Sequence, residues 1–313
     1  MSRIFDALQR SGTEQSGIEY PDMVSVATEV FEAPRHPAPT DRASREQSPA
    51  GPLPLQDLAV EAPIQEAPIA ETLTDEPTPE ASLEFPSLEV SVTPASRLVY
   101  FTEPDSLAAE KFRFLGVRLR QMQQTRRLKK VLITSTIPEE GKSLVSANLA
   151  GVLARRKQKV LLIEGDMRRP TLAQQFGLGR LAGLAEWLQS GQQTPSNIYR
   201  LGGPGLWLMP AGDPPANPLE LMQSGRLSYL MAQLASQFDW IVVDSPPLLP
   251  LADTTVWARL TDGVLLVARE GKTEKKQLQR GLDAVKNLPL LGVVLNSCAR
   301  SDHENYYQRY APK

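Results

Sequence analysis

Gly141, Lys142 and Ser143 stand where an apolar run, residues 131–133, gives way to a helix-forming stretch. A glycine that tolerates positive φ, a lysine and a hydroxyl in this order can cradle phosphate: backbone N–H groups converge on the anion at a helix N-terminus. Lys142 would then reach the outer phosphates, and the Ser143 hydroxyl would hold Mg²⁺. In the general pattern G-x-x-x-x-G-K-[ST] the first glycine falls on Thr136, so the chain departs from it there. Pro138 would stiffen the turn that the missing glycine otherwise shapes. An ordinary strand-to-helix loop could also read Gly-Lys-Ser, but the strand before it and the helix after it are the context a phosphate loop requires.

Two further apolar runs end in acid. Glu164 and Asp166 follow residues 160–163, and Asp244 follows residues 241–243. In a phosphate-loop enzyme a carboxylate at such a strand end orients Mg²⁺, which keeps much of its water and takes few protein ligands. Asp244 fits that role better than a turn cap, because Pro246 and Pro247 have no N–H to donate to it. Glu164 and Asp166 lie two apart, with Arg168 and Arg169 close behind, so an ion-paired turn explains them as well as catalysis does when they are taken alone. Beside a phosphate loop, catalysis is the better reading.

The elements that must bring these groups together follow from the alternation of apolar runs with helical stretches from residue 96 onward. Continuous apolar strands between helices predict an α/β fold of the P-loop NTPase type, a mostly parallel sheet with helices on both faces. Ligands bind such sheets at the carboxyl ends of the strands, where all the residues above fall. One helix is expected across residues 218–237.

The first 95 of the 313 residues read differently. They carry 5 Lys and Arg against 17 Asp and Glu, and the remainder carries 29 against 19, so the two parts sit near −12 and +10 within a total of −2. Nearly half of the 27 prolines lie in this first part. Such a composition cannot offset its ordering entropy by burial, which predicts a disordered acidic arm over 12–95. Ile4, Phe5 and Leu8 would share one face of a short helix over 1–11, a docking peptide or a frayed end. The folded domain is then expected over 96–300, with a tail over 301–313.

The lone Cys298 excludes an internal disulfide, and His36 and His303 are too far apart in sequence to suggest a histidine metal site. The start has no signal-like apolar stretch, and no later run reaches the roughly 20 apolar residues of a membrane span, which predicts a cytoplasmic protein. The positive charge of the folded part could attract a polyanion. However, residues 126–130, "RRLKK", read more simply as a solvated edge before the first long strand, and no nucleic-acid partner is expected.

With these residues in place, the region 97–313 resembles the bacterial tyrosine kinases of capsular and exopolysaccharide systems. "ITSTIPEEGKS" is similar to that family's phosphate-loop form, T-S-x-x-P-[GAS]-E-G-K-[ST] after an apolar residue, except at Glu139. This form also lacks the first glycine. "LLIEGDMR" resembles its apolar run plus D-x-D-x-R, with Glu164 in place of the first aspartate, and "IVVDSP" resembles its apolar run plus D-x-P. "PAGDPPANPLELM" looks like the family segment ahead of that last strand.

The resemblance implies ATP and Mg²⁺ as cofactors. Nucleotide contacts would come from Pro138, Glu139, Glu140, Gly141, Lys142, Ser143 and Leu144, and metal contacts from Ser143, Asp166 and Asp244. Catalysis would rest on Lys142, Glu164, Asp166 and Asp244, with Glu164 accepting the proton of the attacking hydroxyl. Tyr306, Tyr307 and Tyr310, three of the 7 tyrosines within five residues, would be the autophosphorylated cluster.

The resemblance also implies a membrane polysaccharide co-polymerase as adaptor, which would hold the protein peripherally at the inner membrane. Self-association is expected as well, although the assembly motif E-x-x-R-x-x-R meets Glu110 and Arg113 and then Gly116. Two other functions use the same kind of loop. A partition- or septum-positioning ATPase carries a signature lysine where this chain has Ile137, and it lacks the tyrosine-rich end. A nucleotide-dependent scaffold without kinase activity stays open because of Glu164.

Overall fold

Residues 131–133, 160–163, 241–243 and 264–268 are apolar at every position, and each lies in a strand buried on both faces. The computed structural model describes residues 85–298, apart from 156–157, 203–204 and 250–251. The expected helix over 1–11, the arm up to residue 84 and the tyrosine tail lie outside the described residues.

The strands are β1 (Ser87–Leu88), β2 (Lys130–Ser135), β3 (Val160–Glu164), β4 (Tyr199–Leu201), β5 (Leu206–Met209), β6 (Trp240–Asp244), β7 (Gly263–Arg269) and β8 (Leu290–Asn296). The helices are α1 (Val99–Thr102), α2 (Leu107–Thr125), α3 (Lys142–Leu153), α4 (Leu172–Gln175), α5 (Leu184–Ser190), α6 (Pro218–Gln223), α7 (Arg226–Gln237), α8 (Asp253–Leu260) and α9 (Lys275–Val285).

One sheet holds all eight strands in the order β1-β4-β5-β3-β6-β2-β7-β8. The six from β5 to β8 pair in parallel, and β4 joins β5 antiparallel at one edge. Alternate residues divide between two cores. Val131 and Ile133, Val160 and Leu162, and Trp240 and Val242 meet Leu115 and Leu119 of α2 and the buried face of α3. Leu132, Leu161, Ile163, Ile241 and Val243 meet Trp187, Leu230, Leu234 and Trp257 from the helices of the opposite face. Each such side chain contributes about 1.5–3 kcal/mol relative to exposure. Together they support the burial of charge at the strand ends.

Two features differ from expectation, and a third explains a departure already visible in the sequence. Ser87 and Leu88, within the expected arm, form β1 beside β4, and the Phe85 ring stacks on Phe238 at 6.2 Å. The folded part therefore begins at least ten residues earlier than charge and proline content suggest, because a few apolar residues suffice to add an edge strand. The helix expected over 218–237 is two helices, since Gly225 at φ 79° reverses the chain between α6 and α7. Gly116 faces inward: a Cβ there would lie 2.6 Å from Val152 Cγ1, so this glycine lets α2 approach α3 closely. The second arginine of the assembly motif therefore has no place at position 116. Glu110 and Arg113 pair with each other at 2.6 Å.

Candidate active site

The loop between β2 and α3 packs its charged residues in two directions. Gly141, at φ 92°, sits against Asn296 at the end of β8, where any Cβ would fall 2.1 Å from Asn296 Nδ2. Asn296 Nδ2 also donates to the Glu140 carbonyl at 2.9 Å. Only glycine fits this approach. Glu140 is fully buried and accepts from Ile137 N–H at 2.9 Å and from the Thr273 hydroxyl, so its side chain braces the loop from within. Burial pushes its carboxyl up, while those hydrogen bonds oppose the rise. Glu139 instead turns to solvent at φ 66° and pairs with Lys272 at 2.5 Å.

Lys142 opens α3 and folds toward the acids. Its Nζ lies 3.1 Å from Asp166 and 3.9 Å from Asp244, and 3.3 Å from the hydroxyl of Ser143. Burial alone would lower the ammonium, but Asp244 and Asp166 reverse this and raise it. Asp244 is 1% exposed and accepts from Ser146 at 3.2 Å. Its burial pushes the carboxyl up, against the pull of Lys142 and the hydroxyls of Ser143 and Ser146. Lys142, Ser143, Asp166 and Asp244, all singled out from sequence, thus converge at the carboxyl ends of β2, β3 and β6.

Glu164 lies at the same rim, where its charge helps raise the Lys142 ammonium, but its oxygens bond to backbone. It stands opposite Asp244 in the β3–β6 register, but its Oε1 accepts from the N–H groups of Thr171 and Leu172, both at 2.5 Å, and its Oε2 from that of Ala211 at 3.1 Å. The carboxylate ties the start of α4 and the segment after β5 to the strand end. Burial pushes it up, and the three amide bonds counter that shift. Both oxygens of Glu164 thus meet backbone amides, whereas those of Asp166 meet the Lys142 ammonium and the Arg169 N–H.

Sequence reasoning missed several supports. Asp253 is 2% exposed and grips Arg168 with both oxygens, at 2.8 and 3.2 Å, while Trp257 donates to the Gly165 carbonyl at 3.3 Å. These contacts hold the 165–169 turn against α8. Asn296 could have been found, because like Asp244 it is a polar residue ending an apolar strand; Asp253 and Thr273 carry no comparable signal.

A cavity of about 310 Å³ opens beside the loop, with Val99, Phe112, Leu144 and Leu295 as apolar walls. Among the described residues the three non-glycine positions at positive φ are Arg97, Glu139 and Ser297, and all three line it. Backbone held in such conformations is concentrated at ligand sites. Leu144 and Glu139, expected as nucleotide contacts, belong to this wall. Pro138 lies in the turn of the loop.

Among the described residues no group of three or more His, Cys, Asp or Glu forms a metal cage. The donor set instead suits a cation that completes its shell with ligand oxygens, since Ser143 and Asp244 are adjacent hydrogen-bonding oxygens beside the lysine. No helix among these residues is long and apolar enough to cross a membrane.

Residues 131–311 match the family described as the CobQ/CobB/MinD/ParA nucleotide binding domain. The tyrosine-protein kinase YwqD of Bacillus subtilis is 34% identical over 211 residues, 67% of this chain and 89% of that one. The tyrosine-protein kinase ptk of Acinetobacter johnsonii is 33% identical over 199 residues, 63% of this chain but 27% of the relative, so the chain spans about a quarter of that longer protein. The crystal structure of the chimerical protein CapA2B2 superposes with a TM-score of 0.62 at 28% identity, covering 69% of this chain and 96% of that one. With its phosphate loop, its strand-end acids and this relationship over two thirds of its length, the chain belongs to the bacterial tyrosine-protein kinase family, within the CobQ/CobB/MinD/ParA nucleotide-binding fold.

Proposed function

We propose that this protein is an ATP-dependent protein-tyrosine kinase that phosphorylates its own tail at Tyr306, Tyr307 and Tyr310. It would serve polysaccharide synthesis or export beside a membrane adaptor, peripheral to the inner membrane. The observation that carries this reading is the meeting of Lys142 with Asp166 and Asp244 beside the loop helix. The arriving phosphates would compete with these carboxylates for the lysine, which is 3.1 Å from one and 3.9 Å from the other. Lys142 then neutralises the transferring group, while the backbone N–H groups of Gly141, Lys142 and Ser143 hold the phosphates at the start of α3. Ser143 and Asp244 would hold Mg²⁺, with Asp166 within reach; that ion supplies charge neutralisation across the phosphate oxygens. Asp166 would orient a tyrosine hydroxyl, and positioning with charge neutralisation dominates when the transition state is loose. The cavity beside the loop would take the nucleoside.

One observation favours a second reading. With Glu164 committed to three backbone amides, a site short of one proton acceptor suits a scaffold that binds nucleotide and transfers phosphate to nothing. Incubating purified protein with labelled ATP and Mg²⁺ separates the two. Label on the tail that disappears in Lys142→Met and in the triple Tyr→Phe variant supports the kinase. Nucleotide binding without any label supports the scaffold. Full label on the triple variant moves the acceptors elsewhere.

A further inference from the structure

Gly281 is the middle residue of the buried stripe of α9, between Leu278 and Val285. Glycine at such a position weakens a helix and fills no core, so its presence calls for a packing reason. The reason is Thr136. A Cβ on Gly281 would lie 2.5 Å from Thr136 Oγ1, 3.2 Å from its Cγ2 and 3.3 Å from its Cβ. Thr136 is fully buried, its hydroxyl has no hydrogen-bond partner, and it occupies the position at which the general phosphate-loop pattern has glycine.

The same stretch of chain holds the loop at three more points. Arg269 Nη1 donates to the Glu139 carbonyl at 3.3 Å, Lys272 pairs with the Glu139 carboxylate, and the Thr273 hydroxyl bonds the buried Glu140. Thr273 in turn receives the Arg269 N–H at 2.8 Å, so the connection between β7 and α9 is itself closed on one hydroxyl.

We propose that Gly281 is a positioning residue for the phosphate loop: the glycine absent from the loop at Thr136 is supplied across the interface by α9, and the segment from Arg269 to Gly281 sets where the loop's N–H groups point. Space that a loop glycine would leave within the loop is left instead in the neighbouring helix, which accommodates the Thr136 side chain. A methyl group at 281 pushes Thr136 away. Because only Ile137 separates Thr136 from Pro138 and the turn before Gly141, the displacement falls on the phosphate cradle. Losses from displacements of about 1 Å reach on the order of a hundredfold in positioned reactions.

This inference rests on nucleotide binding by the loop, and the experiment is built to tell the two apart. Affinity for a fluorescent ATP analogue with Mg²⁺, and melting temperature without nucleotide, are measured for the full chain, for Gly281→Ala, and for Gly281→Ala combined with Thr136→Ala. Gly281→Ala should weaken binding by roughly tenfold or more, while its melting temperature holds because alanine favours the helix. The double variant, which removes the crowding atoms Oγ1 and Cγ2, should regain most of the lost affinity. A purely structural role for Gly281 would lower the melting temperature and leave affinity in the folded protein unchanged, and that result overturns the proposal. So does a double variant that binds no better than Gly281→Ala. If the unaltered protein binds the analogue and Lys142→Met does not, failure of the Gly281 tests counts against this inference alone. Absence of binding by the unaltered protein sinks both.

Discussion

Glu164 and Asp244 are register partners at the carboxyl ends of adjacent strands, yet the first is bonded by three backbone amides and the second by hydroxyls and a lysine. Aligned strands thus deliver two acids to one place and the loops that follow give them different duties.

Glu164→Asp is the sharpest test of that division. If Glu164 were an overlong proton acceptor, shortening it would raise the basal phosphorylation rate. As a brace, its shortened form cannot span Thr171, Leu172 and Ala211 together, and each buried N–H left unmet costs about 1–3 kcal/mol. Glu164→Asp should therefore lower both melting temperature and rate, and Glu164→Gln should do the same by setting an amide donor against one of the N–H groups. A faster Glu164→Asp enzyme in the labelled-ATP assay would return Glu164 to the catalytic set.

Asp244→Asn should separate stability from activity. Burial holds the Asp244 carboxyl above its ordinary value, so the folded state binds its proton more tightly than the unfolded chain does. That contribution is complete below about pH 4, the unfolded value, and is lost as pH rises through the folded value. The wild type loses that contribution as pH rises, whereas asparagine has no proton to lose. Melting followed from pH 4 to pH 8 should show the variant gaining on the wild type as pH rises, by about 2–4 °C for each kcal/mol recovered, while phosphotransfer is lost. A variant less stable than wild type at pH 8 would mean that the pairing with Lys142 outweighs burial.

Truncations locate the true edge of the domain. Removing residues 12–84 should leave the melting temperature nearly unchanged, since that composition builds no core. Extending the deletion to 95 removes β1 and the Phe85 ring from Phe238, and should lower it by several degrees. Equal melting of the two truncations in differential scanning calorimetry would show that the edge strand contributes nothing.

Glu139 tests backbone against side chain. Its φ of 66° suits glycine, while its carboxylate pairs with Lys272 on the surface. Exposed pairs contribute little and are screened by salt, so Glu139→Gly should melt at or above the wild type and Glu139→Ala below it. The reverse order in thermal melts at 0.5 M salt would assign the pair more weight than the backbone.

The chain's local chemistry was legible in one dimension. Short apolar runs rich in β-branched residues and set between helical stretches read as strands covered on both sides, and a residue that ends such a run is carried to the carboxyl edge of the sheet. Lys142, Ser143, Asp166 and Asp244 could therefore be grouped before any coordinates, because a parallel sheet brings every strand end to the same rim. The folded start at Phe85 was not legible: β1 needs only two residues and a free edge, and composition averaged over ninety residues hides them. Nor could Glu164 be assigned. Its carboxylate ends a strand two residues before that of Asp166, and only the loops that reach back at Thr171, Leu172 and Ala211 decide that it accepts backbone hydrogen bonds. The same is true of Thr136, whose missing glycine lies 145 residues away in sequence, at Gly281. Sequence spacing carries what neighbours along the chain must do, whereas the fit of one side chain into the space left by another exists only once the two elements are packed.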